Sequence, residues 1–441
     1  MSNTAGPALA PAIASGQRIV SLDQFRGYTL VGMFIVNFIG GFTVSPFLLK
    51  HHNTFCSYAD TIMPHFLFAV GFAYRLSFGR RALTQSAGAA YLRVARRLIG
   101  LALFGLFVFQ FDGRLLPTYW FDLYSRGAHN EIWRPFDKDW TQTLFHILLT
   151  TLWVTPVIRA SARWRIGYLL ASAVLHIVLN HTFYFHWVYA PPITAHTGGP
   201  LGFLTWCVPT LVGTLACDGI AGALGRPRLG RMFGWAVLLM GLGYLMSCGT
   251  RWYDVPAAKL AALPPVVAAT ETAKVSDHPV VPDAEAFAAW WSKLKRGEWS
   301  SVLAEPPFVM PPDPQYRDLN YWMMSVKTAT LSFMTFNAGF SLFVYLLFYL
   351  ACDMGGLQLG MLRTLGRNAL AGYLIQWPTD EIFTDLVERT STAWGPQLGF
   401  SPEAIGRSAP VIFVAVAFVL FFAVNWLVLW LMEKKNIFLK V

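Results

Sequence analysis

The chain has 441 residues, of which 55% are hydrophobic, 15% aromatic and only 13% charged. A soluble domain carries about twice that share of charge, so these values exclude a disordered, collagen-like or small disulfide-stapled protein and point to a membrane. The net charge of +10 then becomes a question of which side of a bilayer the basic residues occupy, and no nucleic-acid partner is expected.

Residues 1–17 lack a basic start and a long apolar core, and read as a disordered cytoplasmic tail rather than a secretory signal. Ten apolar runs read as crossings of a ~30 Å hydrocarbon layer: 27–44, 60–79, 94–110, 143–158, 166–182, 201–217, 232–249, 328–350, 362–377 and 409–432. Pro209 breaks the sixth, and the short ninth carries Arg363 and Arg367 at its start. The expected fold class is all-α, a polytopic membrane bundle of about ten transmembrane helices. If both termini are cytoplasmic, nineteen of the 34 lysines and arginines fall in inner segments and seven in short outer loops, as the positive-inside rule asks. Ten of the 26 prolines crowd into residues 250–327, which denies that stretch a spanning helix. It reads as an extracytoplasmic segment with one amphipathic helix near 283–296. It divides a first part of the bundle at 18–249, which holds the candidate chemistry, from a last part at 328–441.

The five cysteines form no CxxC pair. Cys56 and Cys248 fall near the same face and could pair, although unpaired apolar cysteines are the plainer reading. The helix near 283–296 brings Trp290 and Trp291, with Trp299 close behind. They could stack on a sugar, or simply pack the segment onto the bundle.

Polar groups inside a span are costly and stand as functional candidates by default. The first span opens with Ser21, Asp23, Gln24, Arg26 and Gly27. Ser21 and Gln24 have the spacing of a capping box, and Asp23 and Arg26 share a helical face. Asn37 follows about 16 Å farther along the helix, where its amide must find either a neighbouring helix or a ligand. Gly40 and Gly41 allow close approach just beyond it. Lys50, His51, His52 and Asn53 come next, and Asp60 opens the second span. In the assumed orientation Asn37, His51, His52 and Asp60 reach the same face. An imidazole there can exchange a proton near neutral pH, and a carboxylate beside it fixes its tautomer. Two histidines in a short loop can also be merely solvated. His176, His181 and His186, spaced by five, do not share a helical face, and His146 reads as a packed polar residue; no metal is expected.

The linked set Ser21-Leu-Asp-x-Phe-Arg-Gly27, Val36-Asn37, Gly40-Gly41, Lys50-His51 and Ala59-Asp60-x-x-x-Pro64-x-Phe-Leu-Phe-x-Val-Gly71 resembles the start of the heparan-α-glucosaminide N-acetyltransferase family of transmembrane acyltransferases, bacterial members included. The match is specific through residues 21–76. Beyond them it rests on hydropathy and a late Leu365-Gly-Arg-Asn368-Ala-Leu-x-x-Tyr373 stretch. The resemblance implies transfer of an acetyl group from cytosolic acetyl-CoA to an amine on the far side of a membrane, with an amino-sugar or glycan the first acceptor to consider. It implies a catalytic histidine after Lys50, a catalytic asparagine at Asn37 and a partner carboxylate at Asp60. The loop between Asn37 and His51 is longer than the family's, and the gap from His51 to Asp60 is one residue shorter, so the assignment stays open between His51 and His52. The family's Gly-Val-Leu-Gln-Arg element is missing; Asp139-Trp-Thr-Gln142-Thr-Leu-Phe-His146 stands in its place. The lumenal portion of the animal enzyme is not found either. On this reading Arg93, Arg96 and Arg97, with Arg226, Arg228 and Arg231, supply cations for the CoA phosphates at the inner mouth, and Asn368 is grouped with them. Each arginine has an orientation or headgroup role as its plainer alternative. The expected surroundings are a lipid bilayer, a bacterial inner membrane in particular; a homodimer is left open. A secondary transporter of a small polar solute and a catalytically silent membrane scaffold are the rival readings.

Overall fold

The computed structural model describes residues 19–84, 86–110, 143–190, 197–221, 227–255, 274–312, 316–400 and 406–439. These form helices joined by turns, with no strand among the described residues beyond two isolated bridges. In chain order the main helices are α1 (Val20–Phe38), α2 (Tyr58–Thr84), α3 (Ala87–Gln110), α4 (Thr143–Val154), α5 (Ala162–Leu179), α6 (Phe203–Ala221), α7 (Leu229–Ser247), α8 (Ala284–Lys295), α9 (Leu331–Phe348), α10 (Gly360–Arg367), α11 (Ala369–Trp394) and α12 (Val411–Lys434). A helix occupies each of the ten apolar runs. Among the described residues, five helical stretches are long and apolar enough to cross a membrane: Ala162–Tyr189, Gly199–Ala221, Leu229–Tyr253, Leu331–Met354 and Val411–Lys434. They are compatible with a multi-pass membrane protein. The distribution of side chains agrees. Leu170, Val174 and Val178 of α5 and Val416, Val419 and Leu427 of α12 face outward, while Thr205, Thr210, Thr214, Asn337 and Asn425 are buried. Such an apolar exterior has no favourable solvent in water.

Two elements differ from expectation. The run at 362–377 is not one helix. The chain breaks at Asn368, leaving short α10 packed across α1 and α12, and α11 then continues to Trp394. Arg363 and Arg367 of α10 pair with Glu433 of α12 instead of opening a span. The capping box at Ser21 and Gln24 also does not form. The Asp353 carboxylate accepts from the Val20 and Ser21 amides at 3.1 and 2.9 Å, placing an anion at the positive end of α1. Ser21 donates instead to the Tyr345 hydroxyl, and the Gln24 amide bonds the Leu359 backbone.

Helix α6 sits centrally, touching α2, α4, α5 and α9, while α1 lies against α2, α9, α10 and α11. Two crossings depend on missing side chains. A Cβ on Gly27 would run into the Leu362 carbonyl and one on Gly366 into that of Asp23, so α1 and α10 meet backbone to backbone. Gly71 and Gly213 do the same for α2 and α6, against the Thr210 and Phe68 carbonyls.

Residues 274–312 and 316–327 hold α8 in its expected place and no spanning helix. This segment is pinned by charge. Arg317, 7% exposed, reaches Asp254 and Glu305 at 2.7 Å each, and Arg251 reaches the same two carboxylates at 3.2 and 3.5 Å. Its Phe308 amide donates to the Cys56 carbonyl at 2.9 Å, tying it to the loop after α1. All five cysteines are free and buried, Cys56 and Cys248 included.

Candidate active site

The N-terminus of α2 organises the site. Ser57 and Asp60 form a reciprocal capping box: the Ser57 amide and hydroxyl donate to Asp60 Oδ2 at 3.1 and 2.8 Å, and the Asp60 amide donates back to Ser57 Oγ at 3.3 Å. The Asp60 side chain is fully buried, and its other oxygen meets His51 Nδ1 at 2.9 Å. The acid is therefore held rigidly by helix-end donors and presents one oxygen to the imidazole. Because a carboxylate only accepts, Nδ1 of His51 carries the proton, and Nε2 is left as the basic nitrogen. The His51 side chain is 57% exposed.

The neighbouring histidine is turned away. His52 stacks on Phe55 with ring centroids 4.3 Å apart, and its Nε2 lies 2.8 Å from the Phe47 carbonyl. Its backbone amide, 3.4 Å from Asp60 Oδ2, is its contribution to the acid. Cys56 is buried beside the same carboxylate. Burial first, and then the Asp60 charge, push its thiol far above the ordinary range, so it stays protonated at neutral pH.

His51 and Asp60 open onto a cavity of about 760 Å³ that is also lined by Asn37, Gly40, Gly41, Lys50, Asn53 and, from distant parts of the chain, Thr143, Thr197 and Lys327. The Asn37 side chain makes no hydrogen bond among the described residues and lines the cavity. The Lys50 ammonium donates to the Thr43 carbonyl at 3.2 Å, and that of Lys327 stands 4.5 Å above the Tyr189 ring. Burial holds Lys327 below the usual lysine value. The remaining polar lining comes from one face of α11, where Tyr373, Gln376, Trp377 and Asp380 recur at helical spacing.

Of the expected site residues, the structure thus brings Asn37, His51 and Asp60 together and leaves His52 outside. None of the expected cofactor residues that are described lines this cavity. Arg93 and Arg96 are exposed on α3, with Arg97 half-buried beside them; Arg228 and Arg231 are exposed at the start of α7. Arg226, Asp139 and Gln142 lie outside the described residues. Asn368 is buried at the α10–α11 break, donating to the Ile437 carbonyl at 3.1 Å. Ser21, Asp23, Arg26 and Gly27 sit at the opposite end of α1 from Asn37. His146 is buried in α4 near Trp206, and His176 bonds the Tyr321 hydroxyl. Trp290 packs against Trp252 and Phe287, whereas Trp291 and Trp299 are exposed; none of the three lines the cavity. Lys327, Gln376 and Asp380 were missed by the sequence reading. The spacing of Tyr373, Gln376, Trp377 and Asp380 was a usable signal, since four polar or amphipathic residues recur on one face of the first turns of the helix.

No family model matches the chain, and no curated protein matches it.

Proposed function

We propose that this protein is a ten-span acyltransferase of a bacterial inner membrane, with both termini cytoplasmic, that moves an acetyl group from cytosolic acetyl-CoA to an amine on the other side. The observation that supports it best is the buried Asp60 carboxylate 2.9 Å from His51 Nδ1, in a cavity that also contains the unbonded amide of Asn37. Acyl transfer to nitrogen needs three things: an amine without its extra proton, a carbonyl carbon open to attack, and a donor for the oxygen that becomes negative. His51 Nε2 takes the amine proton while Asp60 stabilises the imidazolium, a role worth about 10²–10⁴-fold. The amine nitrogen bonds to the acetyl carbon, Asn37 donates to the developing oxyanion, and the C–S bond then breaks as CoA leaves with a proton returned by His51. The exposed Arg93, Arg96, Arg228 and Arg231 are the candidates to meet CoA phosphates at the cytoplasmic surface.

The test uses sealed vesicles with labelled acetyl-CoA supplied on the cytoplasmic side and glucosamine on the other. Labelled N-acetylglucosamine should accumulate with the wild type and with His52→Ala, and not with His51→Ala. Glucosamine carried across without acetylation would favour the transporter instead. Equal acetylation by the wild type and His51→Ala would refute the assignment.

A further inference from the structure

Among the side chains that line the cavity, two carry buried oxygen atoms with no hydrogen-bond partner among the described residues: Gln376 Oε1 and Asp380 Oδ1. They are four residues apart on α11, on the face that also turns Tyr373 and Trp377 to the cavity. Gln376 is 2% exposed, so its amide has no bulk water to satisfy it. An unpaired buried acceptor is costly, and the cost disappears when a ligand supplies N–H or O–H groups. The other acid of the cavity is already engaged, since Asp60 serves the Ser57 donors and His51. Arg407 lies near enough to act on Asp380, but no ion pair joins them; its guanidinium sits 5.6 Å over the Phe42 ring. Asp380 is thus the anion of the cavity that retains a free oxygen for a cation.

We propose that Asp380 and Gln376 are the specificity-determining residues that hold the ammonium-bearing acceptor, an assignment that rests on the acyl-transfer reading of the same cavity. Asp380 accepts a hydrogen bond from the ammonium, which releases one proton to water to become the free amine; His51 takes the second as the nitrogen attacks and returns it to the CoA sulfur, and Gln376 accepts a hydrogen bond from a neighbouring hydroxyl or N–H. They position the acceptor and take no part in breaking the thioester.

The experiment measures calorimetric binding of glucosamine and of glucose, which differ at the ammonium-bearing carbon, to the full-length protein in nanodiscs without acetyl-CoA. The wild type should bind glucosamine at least tenfold more tightly than glucose. Asp380→Asn and Gln376→Leu should each weaken glucosamine at least tenfold, while His52→Ala, outside the cavity, leaves it within threefold. In the transfer assay the same two variants should raise the acceptor KM with kcat within threefold. Equal binding of the two sugars by the wild type overturns the proposal and needs no variant to fold. So does wild-type glucosamine affinity in both variants. Asp380-dependent binding without any acetyl transfer would support this proposal and sink the acyltransferase reading.

Discussion

A carboxylate buried with four donors around it does two jobs at once, and Asp60 shows how they can be separated. Ser57→Ala removes one cap donor and should lower stability by about 1 kcal/mol, measured as a thermal shift in detergent, with acetyl transfer retained. Asp60→Asn keeps the size but loses the charge that fixes the His51 tautomer; transfer should fall about 10²-fold or more while the protein remains folded. Asn37→Ala should cost about 10²–10³-fold in kcat with little change in acceptor KM, because the oxyanion exists only along the reaction path. At this scale the sequence was readable in part. Asn37, His51 and Asp60 stood out as polar groups where a span should be apolar. The choice between His51 and His52 was not readable, because it depends on Phe55 and the Phe47 carbonyl capturing the second ring. The spacing of Gln376 and Asp380 on one helical face was legible, but their meeting with His51 was not, since it spans more than 300 residues of chain.

Helices were the most legible elements, because long apolar runs predict them whatever their neighbours. Their ends were less so. The cap of α1 comes from Asp353, and the break at Asn368 follows from α10 having to lie against α1 at Gly27 and Gly366. Gly27→Leu should therefore force the Leu362 backbone away and destabilise the bundle by about 1–3 kcal/mol, seen as a lowered unfolding midpoint; the same change at Gly230, where a Cβ meets nothing within 4 Å, should not. The proline-rich segment has its own signature. Burial pushes the Glu305 carboxyl up, but the Arg317 hydrogen bond and the Arg317 and Arg251 charges outweigh it and hold the carboxyl below the usual glutamate value. A depressed folded value contributes stability above the unfolded pKa and loses it as the pH falls through the folded one. Amide exchange at residues 298–312 and 316–320 should be steady from pH 8 to about 5, after correction for intrinsic rates, and should rise below about pH 4. Protection that survives unchanged at pH 3 would show that this charge cluster does not hold the segment.

At the scale of the whole molecule, polar groups meet both ends of α1, Asp353 at its start and the cavity at its far end. Arg75 and Arg165 share Asp218, and Arg367 meets Glu433, away from the cavity. The cavity gathers the far end of α1, the start of α2 and residues before α9. Arg93, Arg96, Arg97, Arg228 and Arg231, expected at the inner mouth rather than beside the histidine loop, do not line the cavity. The proposed chemistry requires the pantetheine arm of CoA to cross between these ends while its nucleotide stays with the arginines. Density for the full-length protein with CoA bound measures this most directly. The account predicts the CoA sulfur within about 3.5 Å of His51 Nε2 and the phosphates among Arg93, Arg96, Arg228 and Arg231. A sulfur that never enters the cavity, with CoA bound elsewhere on the protein, would contradict it.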